Sequence, residues 1–292
     1  MRYLYICLFL AFIPIPLAIL ELIFRSTGSG LSIYDTRGAG QVLMLATVLL
    51  TVLAYVQLVA RDNTLAFFSL YLRHWRKALH GFLVMFAIAW TIVIAAYVIV
   101  GLFGQVGWSA TAWDDMTVRT VRRTVVALFV VLILATTEEL MFRVFLMRYL
   151  RWNTTPAVTI GAVVFSSLVF AVLHNLTDPL SWLTPEGIRL FIGLFLLAVL
   201  LCTTYLVTGS FWCAVAVHAG LLGSKVFLRR TELLEVSTGS WWLDSADLRT
   251  TPLTWLVFAG MALLIYLLRR KLHARFAIER PVVSTARFPA PR

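Results

Sequence analysis

Long apolar runs alternate with short polar segments along most of the chain. Eight of these runs reach about 20 residues, the length at which a helix crosses a bilayer core of roughly 30 Å. They cover residues 3–24, 41–60, 81–103, 124–147, 157–175, 186–207, 210–228 and 252–268. The pattern predicts an all-α fold, a polytopic integral membrane bundle of about eight transmembrane helices.

The composition supports this prediction. Of 292 residues, 61% are hydrophobic and only 13% are charged, far from the balance of a soluble domain. No polar stretch is long enough to form a separate soluble domain, and no internal repeat is visible. All three cysteines, Cys7, Cys202 and Cys213, lie in apolar runs, where cysteine usually acts as a small buried hydrophobe.

The net charge of +11 raises the question of nucleic-acid binding. Membrane topology explains the charge better, because the basic tail "RRKLHARFAIERPVVSTARFPAPR" is expected on the cytoplasmic side by the positive-inside rule. We therefore predict no nucleic-acid partner, and a disordered tail that binds lipid headgroups. The Arg-rich, Lys-poor composition favours a bacterial cytoplasmic (inner) membrane.

Three ionisable residues interrupt the fourth run. An ionised side chain near the bilayer centre costs roughly 2.5–3.5 kcal/mol on insertion scales, so such residues usually face the protein interior or a water-filled cavity. Glu139 and Arg143 lie one helical turn apart and can form an ion pair. Glu138 lies about 100° around the helix from Glu139 and needs hydrogen-bond donors from another helix, or water.

Two histidines are the candidate partners of these carboxylates. Of the five histidines, only His174 and His218 lie inside predicted spans, whereas His74, His80 and His273 are expected to be solvated or interfacial. Burying five ionisable groups separately is costly, so we expect the two glutamates, Arg143 and the two imidazoles to cluster.

Such a cluster can support hydrolysis in two ways. A glutamate can take a proton from water while an imidazole or guanidinium stabilises the oxyanion that forms when water attacks an amide. Alternatively, Glu138, His174 and His218 can bind a zinc ion, which lowers the pKa of its bound water to about 7. The residue types alone leave both mechanisms open.

The order of these motifs resembles a known family. Glu138-Glu139-x-x-x-Arg143, then Phe170-x-x-x-His174, then His218 are similar to the motifs of the CPBP family of intramembrane proteases, which includes the type II CAAX prenyl endopeptidases. The resemblance implies that Glu138 activates water and that Glu139 and Arg143 support and orient the site. It further implies that His174 and His218 bind the oxyanion or a metal, and that the substrate is a membrane protein or a lipidated peptide in the bilayer.

The resemblance also suggests how the chain is organised. Residues 1–123 would hold the first three helices, 124–228 a CPBP-like catalytic core, and 229–292 an outer loop, the last helix and the cytoplasmic tail. Helices counted at about 1.5 Å per residue place His174 some 27 Å from the cytoplasmic end and Glu139 about 15 Å from it. We nevertheless expect His174 to lie within about 10 Å of Glu138, because hydrolysis requires all three motifs in one pocket.

Two other functions remain open. Many relatives have an asparagine four residues after the last histidine, where this chain has Leu222, so a catalytically weak or inactive membrane scaffold or chaperone is an alternative. A proton-coupled transporter would also bury Glu, Arg and His, but the repeats and broken helices typical of transporters are missing from the sequence.

Overall fold

The chain folds mainly into helices. The computed structural model describes residues 14–32, 39–55, 57, 64–102, 106–114, 116–150, 155–174, 183–236 and 248–278. The helices are α1 (Pro14–Thr27), α2 (Ala39–Ala54), α3 (Thr64–Arg73), α4 (Trp75–Leu102), α5 (Val118–Glu139), α6 (Met147–Leu150), α7 (Pro156–Leu173), α8 (Pro185–Thr208), α9 (Phe211–Arg230), α10 (Pro252–Leu267) and α11 (Arg269–Phe276). A π-helical segment, Leu140–Leu146, joins α5 to α6. The predicted all-α class is confirmed.

One small sheet accompanies the helices. Strand β1 (Val106–Trp108) follows α4 and pairs antiparallel with β2 (Leu234–Val236), which follows α9. Val106 lies opposite Val236. The sheet joins the chain segments that leave these two helices at the same end of the bundle.

Five helical stretches in the described ranges are long and apolar enough to cross a membrane. They are Trp75–Leu102, Val118–Leu146, Pro156–Leu173, Pro185–Thr208 and Phe211–Arg230. A sixth results if α10 and α11, which bend by 75° at their junction, form one span. The protein is thus an integral membrane protein. The count of eight stays a prediction, because the first two predicted runs include residues outside the described ranges.

The sequence marks the helix ends clearly. Three helices begin with a Thr-Pro pair, namely Thr155–Pro156 in α7, Thr184–Pro185 in α8 and Thr251–Pro252 in α10. Proline suits the first helical turn because its missing N–H has no intrahelical partner there. The Thr184 hydroxyl accepts a hydrogen bond from Gly187 N at 3.1 Å. Gly209 ends α8 in the left-handed conformation, with φ of 58°.

Helix α9 is the centre of the bundle. It packs against α4, α5 and α8, and almost every side chain from Cys213 to Leu221 is buried. The small residues Ala216, Ala219 and Gly220 allow neighbouring helices to approach closely, as is common between membrane helices. His218 therefore occupies the most enclosed part of the molecule.

One expectation about the polar segments was wrong. The basic tail reads as disordered, yet its first part forms α11, because Phe276 is buried over Gly81 and Lys77 Nζ donates a hydrogen bond to Ala277 O at 2.7 Å. Residues 279–292 lie outside the described ranges. The predicted boundaries of the three chain regions stay predictions.

Candidate active site

Three parts of the bundle meet at one polar pocket. The end of α5 and the π-helical segment supply Glu138, Glu139 and Arg143. His174 caps the end of α7, and His218 comes from the middle of α9. The structure brings together all five side chains that the sequence singles out, as the following distances show.

Glu139 forms the buried base of the pocket. Its side chain is fully buried and lies between two cationic or donor groups. Glu139 Oε1 accepts a hydrogen bond from His218 Nδ1 at 2.9 Å, and Oε2 lies 3.1 Å from Arg143 Nε. The predicted ion pair of Glu139 and Arg143 is thus confirmed, and it also orients the His218 imidazole.

The Arg143 guanidinium is enclosed on all sides. Its Nη2 donates a hydrogen bond to Ala198 O on α8 at 3.3 Å. The guanidinium carbon lies 5.0 Å from the ring centre of Phe170 and 5.7 Å from that of Phe142, so both rings offer cation–π contacts. Because the side chain has no exposed surface, it cannot touch a substrate directly and instead holds Glu139.

Glu138 occupies the mouth of the pocket, between the two imidazoles. Its Oε1 lies 3.5 Å from His174 Nε2, and its Oε2 lies 3.7 Å from His218 Nε2. The side chains of Glu138 and His174 are 14% and 23% exposed, whereas that of His218 is only 2% exposed. The exposed surface of the pocket therefore lies at Glu138 and His174. The expectation that His174 lies within about 10 Å of Glu138 is confirmed.

Both imidazoles are held by their Nδ1 atoms. His174 Nδ1 donates to Phe170 O at 2.8 Å, because a carbonyl oxygen can only accept, and His218 Nδ1 donates to Glu139. Each Nε2 then faces Glu138. A neutral ring in this arrangement presents a lone pair at Nε2, and a protonated ring presents an N–H donor.

Phe170 fixes the position of His174. Its ring centre lies 4.2 Å from that of His174, with the rings inclined by 37°. Phe142 packs edge-on against Phe170, with the ring centres 4.9 Å apart. Phe170 thus has a packing role beside the His174 imidazole.

A second polar layer lies behind Arg143 and is not predicted by the sequence pattern. Ser166 and Ser167 of α7 are completely buried, and no hydrogen bond is formed by either hydroxyl within the described ranges. Both lie beside the Cys202 thiol of α8, and Arg143 and Glu139 are also close to this thiol. Serine in an apolar run passes for a small packing residue, so only its tertiary neighbours reveal this layer. Cys202 and Cys213 are buried free thiols, as expected, and Cys7 lies outside the described ranges.

Leu222 lines a small cavity of about 40 Å³, and the other lining residues include Tyr97, Leu197, Lys225 and Arg249. Its surface is mostly apolar. No amide side chain is among the residues that line this cavity. The departure noted in the sequence is therefore accommodated by apolar packing.

The donor atoms at Glu138 come close to what zinc requires. Two ligand atoms of a tetrahedral zinc site lie about 3.3 Å apart when each bond is roughly 2.0–2.1 Å. The two Glu138–imidazole distances of 3.5 and 3.7 Å are slightly longer, and both imidazoles have the acceptor at Nδ1 that zinc-binding histidines usually have. As placed, however, no group of three or more His, Cys, Asp or Glu side chains in the described part of the chain could hold a metal ion. The residue types therefore suit zinc, whereas the side chains as placed do not form a site for it.

A family model matches the part of the chain that forms the pocket. Residues 120–221 match the family model described as type II CAAX prenyl endopeptidase Rce1-like. The matched range contains all five pocket residues and confirms the resemblance drawn from the sequence motifs. No curated protein and no solved structure matches the chain.

Proposed function

We propose that the chain, whose residues 120–221 match the Rce1-like family model, is an intramembrane endopeptidase. It hydrolyses a peptide bond at or within the membrane, and its substrate is a membrane protein or a prenylated peptide. One observation supports the proposal above all others: two imidazoles direct Nε2 at the one partly exposed carboxylate of the pocket.

Glu138 acts as the general base in the proposed reaction. Its carboxylate takes a proton from water, the resulting hydroxide attacks the amide carbon, and an oxyanion forms. The protonated Glu138 then gives its proton to the leaving nitrogen, the C–N bond breaks, and a carboxylate and an amine are released. Glu139 and Arg143 do not touch the substrate in this scheme but orient His218.

His174 and His218 stabilise the oxyanion when their Nε2 atoms carry protons. Both Nδ1 atoms are already committed as donors, so each ring must be an imidazolium to offer Nε2–H. Loss of one oxyanion donor typically costs about 10²–10³ in kcat.

Zinc is the alternative that the same geometry keeps open. Glu138, His174 and His218 would hold the ion through the carboxylate and two neutral Nε2 atoms, once the three side chains reorient around it. Bound zinc would supply an activated water and polarise the substrate carbonyl. Glu139 would then accept a hydrogen bond from His218 Nδ1–H, which keeps that ring in the tautomer with a lone pair at Nε2.

The proposal is tested by cleavage of a prenylated CAAX-type peptide in proteoliposomes that contain the purified chain. We expect Glu138→Gln to lower kcat by about 10²–10⁴ because the base is lost. Glu186→Gln, which removes an exposed carboxylate from the first turn of α8, is the matched control and should leave kcat unchanged. Equal rates for wild type and Glu138→Gln would refute an enzymatic role.

Metal content separates the two mechanisms. Protein purified without added zinc is analysed for bound metal, and the same samples are assayed with and without a chelator. A glutamate mechanism predicts full activity without metal, whereas the zinc mechanism predicts loss of activity together with the metal.

An inactive scaffold is the second candidate, favoured by the apolar cavity around Leu222. In that case wild type and Glu138→Gln would both bind the prenylated peptide and neither would cleave it. The cleavage assay therefore decides between the two candidates.

A further inference from the structure

A large open groove lies on the outside of the bundle, on the other side of α8 from the active site. It has a volume of about 940 Å³ and is bounded by the first turns of α7, by the second half of α8 and by the α10–α11 bend. We call it the α7–α8–α11 groove. None of the five pocket residues lines it.

The walls of the groove are apolar. Val163 of α7 and Phe195, Val199 and Leu206 of α8 contribute aliphatic or aromatic surface. From Phe195 to Val207 the α8 wall extends for thirteen residues, or about 18 Å along the helix. This length is close to half of a hydrocarbon core of roughly 30 Å, so the groove matches the acyl chains of one leaflet.

The end of the groove at α11 is cationic. Arg269, Arg270 and His273 line it, and neither arginine forms an ion pair with a carboxylate within the described ranges. Arg269 is held in place by a hydrogen bond from Nη1 to Tyr266 O at 3.2 Å and lies 4.6 Å above the Tyr266 ring. His273 Nδ1 donates to Val207 O at 3.1 Å. A phosphate oxygen is the natural partner for the two guanidinium groups.

An apolar channel one leaflet long with a cationic end fits an amphiphile that has an anionic head. We infer that the α7–α8–α11 groove binds one anionic phospholipid, with an acyl chain against α7 and α8 and the phosphate at Arg269 and Arg270. A zwitterionic lipid carries the same phosphate, but its ammonium group cancels the net charge that the two arginines would attract.

The wall of the groove is also part of the active site. Ala198 of α8 accepts the hydrogen bond from Arg143, and the next residue, Val199, faces the groove. The bound lipid therefore packs against the turn of α8 that supports Arg143. The inference concerns binding and does not depend on whether the chain is a protease.

Lipid binding is measured by native mass spectrometry of the detergent-purified full chain. Phosphatidylglycerol and phosphatidylcholine with identical acyl chains are titrated separately. We expect one phosphatidylglycerol to bind at least about tenfold more tightly than phosphatidylcholine. The paired substitution Arg269→Gln with Arg270→Gln should weaken the binding of phosphatidylglycerol about 10- to 30-fold, since each basic residue near a lipid surface contributes roughly one kcal/mol.

A matched pair controls for the change in net charge. Arg229→Gln with Arg230→Gln also removes two consecutive exposed arginines, but from the end of α9, and should change the dissociation constant less than twofold. An equal loss in both pairs would mean unspecific charge attraction and would overturn the inference.

The apolar part of the groove is tested separately. Val163→Phe fills the groove and should weaken the binding of both lipids. Val125→Phe, on the exposed face of α5, should leave the binding of both lipids unchanged. This second pair also decides the matter if the arginine variant fails to fold. Equal affinity for the two lipids in the wild type, or displacement of phosphatidylglycerol by a prenylated peptide at one-to-one stoichiometry, would contradict the assignment.

Discussion

At the scale of single residues, Glu138 and Glu139 are neighbours in sequence but have different environments. Glu139 is fully buried between Arg143 and His218, whereas Glu138 is partly exposed between two imidazole Nε2 atoms. One turns inward because the i, i+4 spacing pairs it with Arg143, and the other faces α7 and α9 because it lies about 100° around the helix. Two identical side chains can thus take different tasks, one holding the site and the other performing the reaction.

Glu139→Gln tests the structural task. Glutamine can still accept from His218 Nδ1, but it leaves the Arg143 charge buried and unpaired. Removal of one partner from a buried ion pair costs about 3–5 kcal/mol, so we expect a loss of this order in the free energy of unfolding. The measurement is denaturant unfolding in detergent micelles, followed by tryptophan fluorescence.

The double variant is the control for this prediction. In Glu139→Gln with Arg143→Gln no unpaired charge remains. The free energy of unfolding should therefore fall by at least about 1 kcal/mol less than the sum of the decreases in the two single variants. Additive losses would show that the two side chains do not depend on each other. Exposed Glu186→Gln should stay within about 0.5 kcal/mol of the wild type.

The sequence predicts much of the residue-level picture but not all of it. The spacing of Glu139 and Arg143 on one helix is a local property, and the structure confirms it. The burial of Ser166 and Ser167 beside Cys202 depends on how α7 packs against α8, which no local spacing encodes.

At the scale of helices, the positions of the spans follow from hydropathy, whereas their ends do not. The span predicted at 124–147 begins at Val118, since the charged turn that contains Arg119, Arg122 and Arg123 continues the helix beyond the apolar run. Depths counted along straight helices separate His174 from Glu139 by about 12 Å. The contacts show that these helix ends meet. The count fails because helix tilt and the π-helical segment after Glu139 depend on tertiary packing, which straight helices leave out.

Gly220 shows how closely the helices must approach. A Cβ atom at this position would lie 2.9 Å from Ala89 Cβ and 3.0 Å from Phe86 O, both on α4. We therefore expect Gly220→Ala to lower the free energy of unfolding by about 1–3 kcal/mol, and to lower kcat as well, since His218 is two residues away on α9. Thermal unfolding and the peptide assay measure the two effects.

Gly260→Ala is the matched control on α10. No atom lies within 4 Å of a Cβ placed there, so this change should be neutral or slightly stabilising through helix propensity. A similar loss in both glycine variants would mean that alanine is harmful for a reason other than the α4–α9 contact.

At the scale of the whole molecule, the bundle has a basic end at α11. Arg269, Arg270 and Lys271 follow the last apolar helix, and α11 turns by 75° as expected for a helix at the membrane surface. We predict that this end is cytoplasmic. The apolar composition of the chain and the length of its apolar runs were sufficient to predict an integral membrane bundle. They do not determine the orientation of the bundle in the membrane.

Orientation is measured by cysteine labelling in intact bacterial cells. Ser284→Cys in the basic tail should react with an impermeant maleimide only after the membrane is permeabilised. Ala110→Cys, which lies close to β1 at the other end of the bundle, should react in intact cells. The reverse pattern would place α11 and the α7–α8–α11 groove in the outer leaflet.

The central claim is that Glu138 and His174 act in one shared pocket, and a double-mutant cycle on kcat tests it most directly. Residues that act as a unit show strongly non-additive losses. We predict that Glu138→Gln and His174→Gln each lower kcat for peptide cleavage at least about 100-fold. The kcat of the double variant should be no more than about threefold below that of the slower single variant. Losses that multiply, or a single variant that keeps the wild-type rate, would contradict the claim.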